Sequence, residues 1–275
     1  DYLAIVNGDT YAIREGRRVV PQIANVLSVI KDDGLGISIS GPVRDVAKEL
    51  SDYVSKYGID AVIGIDVGGD VLALGNEEGL YSPLTDSYSV AILNRVQEIT
   101  SVPVILGVTG PGVDGELDRD YVLMRISQLA SKGAFLGAYG PTRDDLAILE
   151  DILSKAITEA SALVFRAAKG YHGNAGIRGS TRYLKLDISS SITYYLDLRK
   201  VMNDLPLANL VIDARDPWDA MRVLNSRGVM TELNFEEEVY RYYRAKSRVP
   251  SPEEAYSIIK EIKSKLKAQV QLTSS

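Results

Sequence analysis

The chain has 275 residues, a formal net charge of −6, no cysteine and a single histidine. Those counts exclude disulfides, thiolate metal sites, thiol nucleophiles and a histidine-rich zinc centre, and the missing cysteines fit a reducing cytoplasm. An acidic chain does not suit a broad phosphate-binding face, so no nucleic acid is expected as partner, and no apolar stretch approaches the roughly 18 residues of a membrane span.

The chain opens on Asp1 rather than Met and runs at once into Tyr2-Leu-Ala-Ile-Val6, a strand-like run that reads as the continuation of something upstream. After Gly41-Pro42, Val43, Val46, Ala47, Leu50 and Val54 fall on one helical stripe that stops at Gly58. Further apolar runs of strand length lie at 61–66, 102–108, 161–166 and 208–213. Helical spacing fills 85–100, 117–132 and 142–159, the last with Thr142 as N-cap and Asp144-Asp145 in its first turn. Asp216-Pro217 opens another helix that ends at Gly228. A final helix from about Pro252 carries Ala255, Ile258, Ile259, Ile262 and Leu266 on one face, and residues 269–275 are expected to fray. This alternation predicts one α/β domain over 1–268, built on a single Rossmann-like, mainly parallel sheet with helices on both faces.

Three clusters carry candidate chemistry. The first is Asp66-Val-Gly-Gly-Asp70, directly after Ala61-Val-Ile-Gly-Ile65. A buried strand entering a Gly-rich acidic loop is where α/β proteins place sites. Gly68 and Gly69 allow close backbone approach, while Asp66 and Asp70 can hold a hard cation or move protons. Asp86, further along, is either a third acid of the site or an ordinary helix-start residue. The second cluster is Gly110-Pro-Gly112-Val-Asp-Gly115, a formal G-x-G-x-x-G between a strand and a helix. Yet Asp114 and Glu116 would set negative charge beside a pyrophosphate, and no acid ends a second strand about 20 residues on. That disfavours NAD and favours a metal-bridged ligand; the plainer alternative is a Gly-Pro turn. The third cluster, 166–182, brings together Arg166, Lys169, His172, Arg178 and Arg182 among four glycines. It reads as a local phosphate or carboxylate cradle, or else as a solvated basic loop, with His172 either an acid–base group or an incidental hydrogen-bonder.

The order of these motifs resembles an archaeal family known as domain of unknown function 1152. The resemblance rests on Ile65-Asp-Val-Gly-Gly-Asp70, Gly79-Leu-Tyr-Ser-Pro-Leu-Thr-Asp86, Leu106-Gly-Val-Thr-Gly-Pro-Gly-Val-Asp-Gly-Glu116, Arg166-Ala-Ala-Lys-Gly170, Ile177-Arg-Gly-Ser-Thr-Arg182 and Thr231-Glu-Leu233. It implies a Rossmann-like fold of unassigned activity and an upstream Gly-rich segment that this chain lacks. The reading that follows is an enzyme acting on a small phosphorylated or carboxylated metabolite by metal-dependent hydrolysis or phosphoryl chemistry. Asp66, Asp70, Asp86, Asp114 and Glu116 would hold Mg²⁺, with Asp66, Asp70 and His172 as catalytic groups. Gly68, Gly69, Gly110, Gly112, Arg166, Lys169, Arg178 and Arg182 would bind the anionic ligand. The alternative is a non-catalytic nucleotide or metabolite sensor whose ligand stabilises a homo-oligomer.

Overall fold

The computed structural model describes residues 1–14 and 16–273 of an α/β chain. The first forty residues form β1 (Leu3–Val6), the hairpin of β2 (Ala12–Arg14) and β3 (Arg17–Val19), α1 (Gln22–Ile30) and β4 (Gly34–Ile37). Next come α2 (Val43–Lys56), β5 (Val62–Val67), α3 (Pro83–Thr100), β6 (Val104–Thr109), α4 (Arg119–Ser131) and β7 (Phe135–Tyr139). They are followed by α5 (Arg143–Leu153), α6 (Glu159–Ala168), the hairpin of β8 (Gly173–Ile177) and β9 (Arg182–Leu186), and β10 (Thr193–Asp197). Then come α7 (Leu198–Val201), α8 (Pro206–Leu210), α9 (Pro217–Asn225), α10 (Glu232–Lys246) and α11 (Pro252–Thr273).

The central sheet has the order β5-β6-β10-β7. β5 and β6 run parallel, but β10 is antiparallel to both its neighbours, so the sheet is mixed where a mainly parallel one is expected. β1 is a strand, as its sequence suggests, yet it pairs with β4 in a separate two-stranded sheet. Two other apolar runs prove helical: 161–166 lies inside α6, and 208–213 covers the end of α8 and the turn after it. A short apolar stretch fits a buried helix face as well as a strand, and α6 buries Leu163, Val164 and Ala167. The helical stretch at 142–159 divides into α5, capped by Thr142 through a capping box, and the start of α6.

Leu106, Val108 and Leu196 on one sheet face share the main core with α2, α3, α4 and α9, through residues such as Val46, Tyr88, Val122 and Leu224. Across the sheet the other face differs. Ile63, Ile65 and Tyr139 remain 52%, 53% and 68% exposed, and the Tyr139 and Tyr195 rings meet there at 5.9 Å. Helices therefore cover one face rather than both. α11 continues through Thr273 where fraying is expected from 269; residues 274–275 lie outside the described residues. It docks through Ile262 and Leu266 onto Met230. Among the described residues no helix is long and apolar enough to cross a membrane.

Candidate functional site

The parallel pairing of β5 with β6 sets Asp66 beside Val108 and Val67 beside Thr109, so the loops that leave these strands emerge together. Their joining is backbone to backbone: the Gly112 amide donates to the Gly68 carbonyl at 2.6 Å. Gly68 has φ of +132°, and a Cβ there would fall 2.3 Å from Asp114 Cγ. Glycine is thus required twice over at 68, for the left-handed backbone and for the space that Asp114 fills. Gly69, at φ +106°, has no room for a Cβ against Val122. Gly110 and Gly112 turn the second loop, and the Gly110 amide is spent on the Ile192 carbonyl at 2.9 Å. With 110–114 buried throughout, these glycines build the turn that carries Asp114, and the amides of Gly110 and Gly112 are used inside the protein rather than offered to a phosphate.

The two loops and the first turn of α3 bring all five expected acids together. Carboxylate oxygens of Asp66, Asp70 and Asp86 lie within 4.8 Å of one another, as do those of Asp70, Asp114 and Glu116, with Asp70 common to both sets. Burial pushes the Asp66 carboxyl well above its ordinary range, and Asp86 and Asp114 push it further, against the opposing pull of the Val71 and Gly69 amides. Asp70 is raised well above as well, by burial first and then by Asp86 and Asp66. Asp86 and Asp114 are each pushed up to about 7, chiefly by burial, with Glu232 the main charge acting on Asp86 and Glu116 on Asp114. Two oxygens, Asp66 Oδ2 and Asp114 Oδ1, are buried without a hydrogen-bond partner, on residues only 8% and 4% exposed. Buried polar atoms are nearly always satisfied, so these two oxygens are positions where a cation or a proton could be the partner.

Glu116 differs from the other four. Its Oε2 accepts from the amides of Tyr81 and Ser82 at 2.8 and 3.0 Å, its Oε1 accepts from Ser82 Oγ, and Arg178 approaches to 3.8 Å. Most of its lone pairs are taken, so it anchors the 81–82 segment more than it offers ligands. Glu232 is the acid the sequence reading passes over, although it stands in the quoted Thr231-Glu-Leu233. It caps α3 by accepting from the amides of Leu84 and Thr85 at 3.0 and 2.8 Å, and so holds Asp86 in place.

The basic cluster divides. Arg178 and Arg182 flank the β8–β9 turn and line a cavity of about 530 Å³ that also borders Glu116 and Glu232. The amides of Arg178 and Gly179 donate to Glu159 at 2.9 and 3.1 Å, which fixes the turn. Arg182 donates to the Gly115 carbonyl at 3.0 Å and stacks 4.1 Å over the Tyr81 ring, and Lys263 lies over that ring at 4.1 Å as well. Burial pulls the Lys263 ammonium down to about 8. Arg166, Lys169 and His172 are not in this cavity. Arg166 stacks on Tyr171, Lys169 pairs with Glu150 at 3.3 Å, and His172 is exposed before the start of β8. In the antiparallel hairpin Gly173 faces Leu186 while Ile177 faces Arg182, so His172 sits a strand's length, roughly 17 Å, from the arginine pair.

A protein-family model described as protein of unknown function (DUF1152) matches residues 1–240, and the chain belongs to that family. No curated protein and no solved structure matches it.

Proposed function

We propose that the acid cluster holds a divalent cation, Mg²⁺ by the hardness of its oxygen donors, and that the chain is an enzyme for hydrolysis or phosphoryl chemistry on a small phosphorylated or carboxylated metabolite. The orphan oxygens of Asp66 and Asp114 carry this reading, because a cation is the partner that lets buried, mutually repelling carboxylates ionise. Asp66, Asp70 and Asp86 would be its ligands, with Asp114 beside them. Bound there, the cation would polarise a phosphoryl or carbonyl oxygen and acidify a water. Arg178 and Arg182 border the same region and would hold the anionic end in a forked geometry. Asp114, beside the ligand set, would accept the proton of an attacking water.

A second reading, a non-catalytic nucleotide or metabolite sensor, is favoured by the position of His172, which leaves the cluster without the one imidazole of the chain. Calorimetric titration with Mg²⁺ followed by an assay of phosphate release from simple phosphomonoesters separates the two. The enzyme binds Mg²⁺ and releases phosphate only in its presence, and Asp66→Asn loses both. The sensor binds its anion and never turns it over. Absence of Mg²⁺ binding would remove the cation from either account.

A further inference from the structure

The cavity that meets the acid cluster at Glu116 is too large and too apolar in its lining for a bare phosphate. At about 530 Å³ it lies within the ~300–1,000 Å³ usual for small-molecule sites, and it equals roughly eighteen water volumes. One wall is polar and pre-arranged. There Arg178 stands on a turn pinned by Glu159, and Arg182 is fixed by the Gly115 carbonyl and the Tyr81 ring. The lining also includes Met230 and Phe235 near the start of α10, and Tyr256 and Ile259 on α11. Tyr256 is half exposed at this lining, with Lys260 over its ring at 4.7 Å. The α11 part of the wall lies past residue 240, where the family match ends.

Resting on the cation reading above, we infer that the ligand is an organic phosphate with a flat, ring-sized apolar body. The phosphate lies between Arg178, Arg182 and the acid cluster, and the body lies along Phe235, Tyr256 and Ile259. Two positive forks at a cavity that meets the acid cluster at Glu116 suit a phosphate whose remaining charge is shared with a cation. An aromatic and aliphatic wall contributes nothing to holding inorganic phosphate but stabilises an apolar group that leaves water. The helix α11 thus sets which phosphate is accepted, while the loops set that it is a phosphate.

Calorimetry with phenyl phosphate and with inorganic phosphate, each in the presence of Mg²⁺, tests this. Phenyl phosphate should bind about tenfold more tightly. Tyr256→Ala, a change at a half-exposed position that should leave the melting temperature intact, should cut that advantage to about threefold or less and leave inorganic phosphate unaffected. Equal affinities in the wild type, or an advantage untouched by Tyr256→Ala, overturn the inference. Binding of Mg²⁺ with neither phosphate also overturns it and leaves the cation site standing. Binding of phenyl phosphate over inorganic phosphate without any Mg²⁺ isotherm supports the cavity and removes the cation.

Discussion

Asp70 is the residue on which the site turns, since among the described residues it alone belongs to both groups of converging carboxylates. Asn keeps its shape and removes its charge. Asp70→Asn should therefore weaken Mg²⁺ binding at least about tenfold by calorimetry, while the melting temperature in EDTA rises, because one of several repelling buried charges is gone. A residue needed only for the turn would show the reverse, an unchanged isotherm and a lower melting temperature in all conditions. Arg182 can be examined in the same way from the anion's side. Its guanidinium is already oriented by the Gly115 carbonyl and the Tyr81 ring, and a lysine ammonium cannot reproduce that fork. Phosphate added with Mg²⁺ should raise the wild-type melting temperature, and Arg182→Lys should lose more than half of the shift. Equal shifts in both proteins would mean that Arg182 is only a stacking partner for Tyr81.

At the scale of elements, the parts legible in the sequence are those whose period or punctuation is unambiguous. α2 shows its stripe, α5 and α9 show their caps, and β5 and β6 show apolar runs that enter glycine-rich loops. The acids gather because two neighbouring parallel strands end together, which follows from reading both as strands. Short apolar runs are the ambiguous ones: α6 and α8 take two of them, and the strand that completes the sheet is β10, whose Thr193-Tyr-Tyr-Leu-Asp197 alternates less obviously. The basic cluster was half legible for a related reason. Residues 166–182 look like one loop, but five of them form β8, which carries Arg178 and Arg182 away from His172. Loop glycines give a direct test of this element-level picture. Gly68→Ala meets both a left-handed backbone and the Asp114 carboxyl, so it should cost about 3 kcal/mol or more and abolish Mg²⁺ binding. Gly170→Ala, at φ +91° with open space around it, carries the backbone strain alone; about 1–2 kcal/mol of lost stability with unchanged Mg²⁺ binding is expected. Similar losses and similar isotherms from the two variants would show that Asp114 does not depend on the Gly68 turn.

For the whole molecule, the cluster makes stability depend on pH in a direction opposite to that of most carboxylates. A carboxyl held at about 7 in the fold and near 3.8 when unfolded binds more protons in the native state across that interval, so stability falls as pH rises through it. Other groups act elsewhere on the scale. Asp187, held at about 2 by Ser189 and Arg119, contributes stability that is lost only as pH falls below about 4. Lys263, lowered to about 8 by burial, costs stability below that value and recovers it only as pH rises from 8 towards 10.5. The window from pH 5 to 7.5 therefore belongs to the acid cluster. In EDTA the melting temperature should be highest near pH 5 and fall steadily to pH 7.5. A cation competes with the same protons, so saturating Mg²⁺ should raise the melting temperature little at pH 5 and much more at pH 7.5, by about 2.7 kcal/mol of stability at one hundred times its Kd. Thermal melts by circular dichroism at both pH values, with and without Mg²⁺, read all four corners of this cycle. A metal-free melting temperature that stays level or rises between pH 5 and 7.5 would show that the five acids are not held together as a buried, like-charged set, and a Mg²⁺ effect equal at both pH values would show that the cation binds away from them.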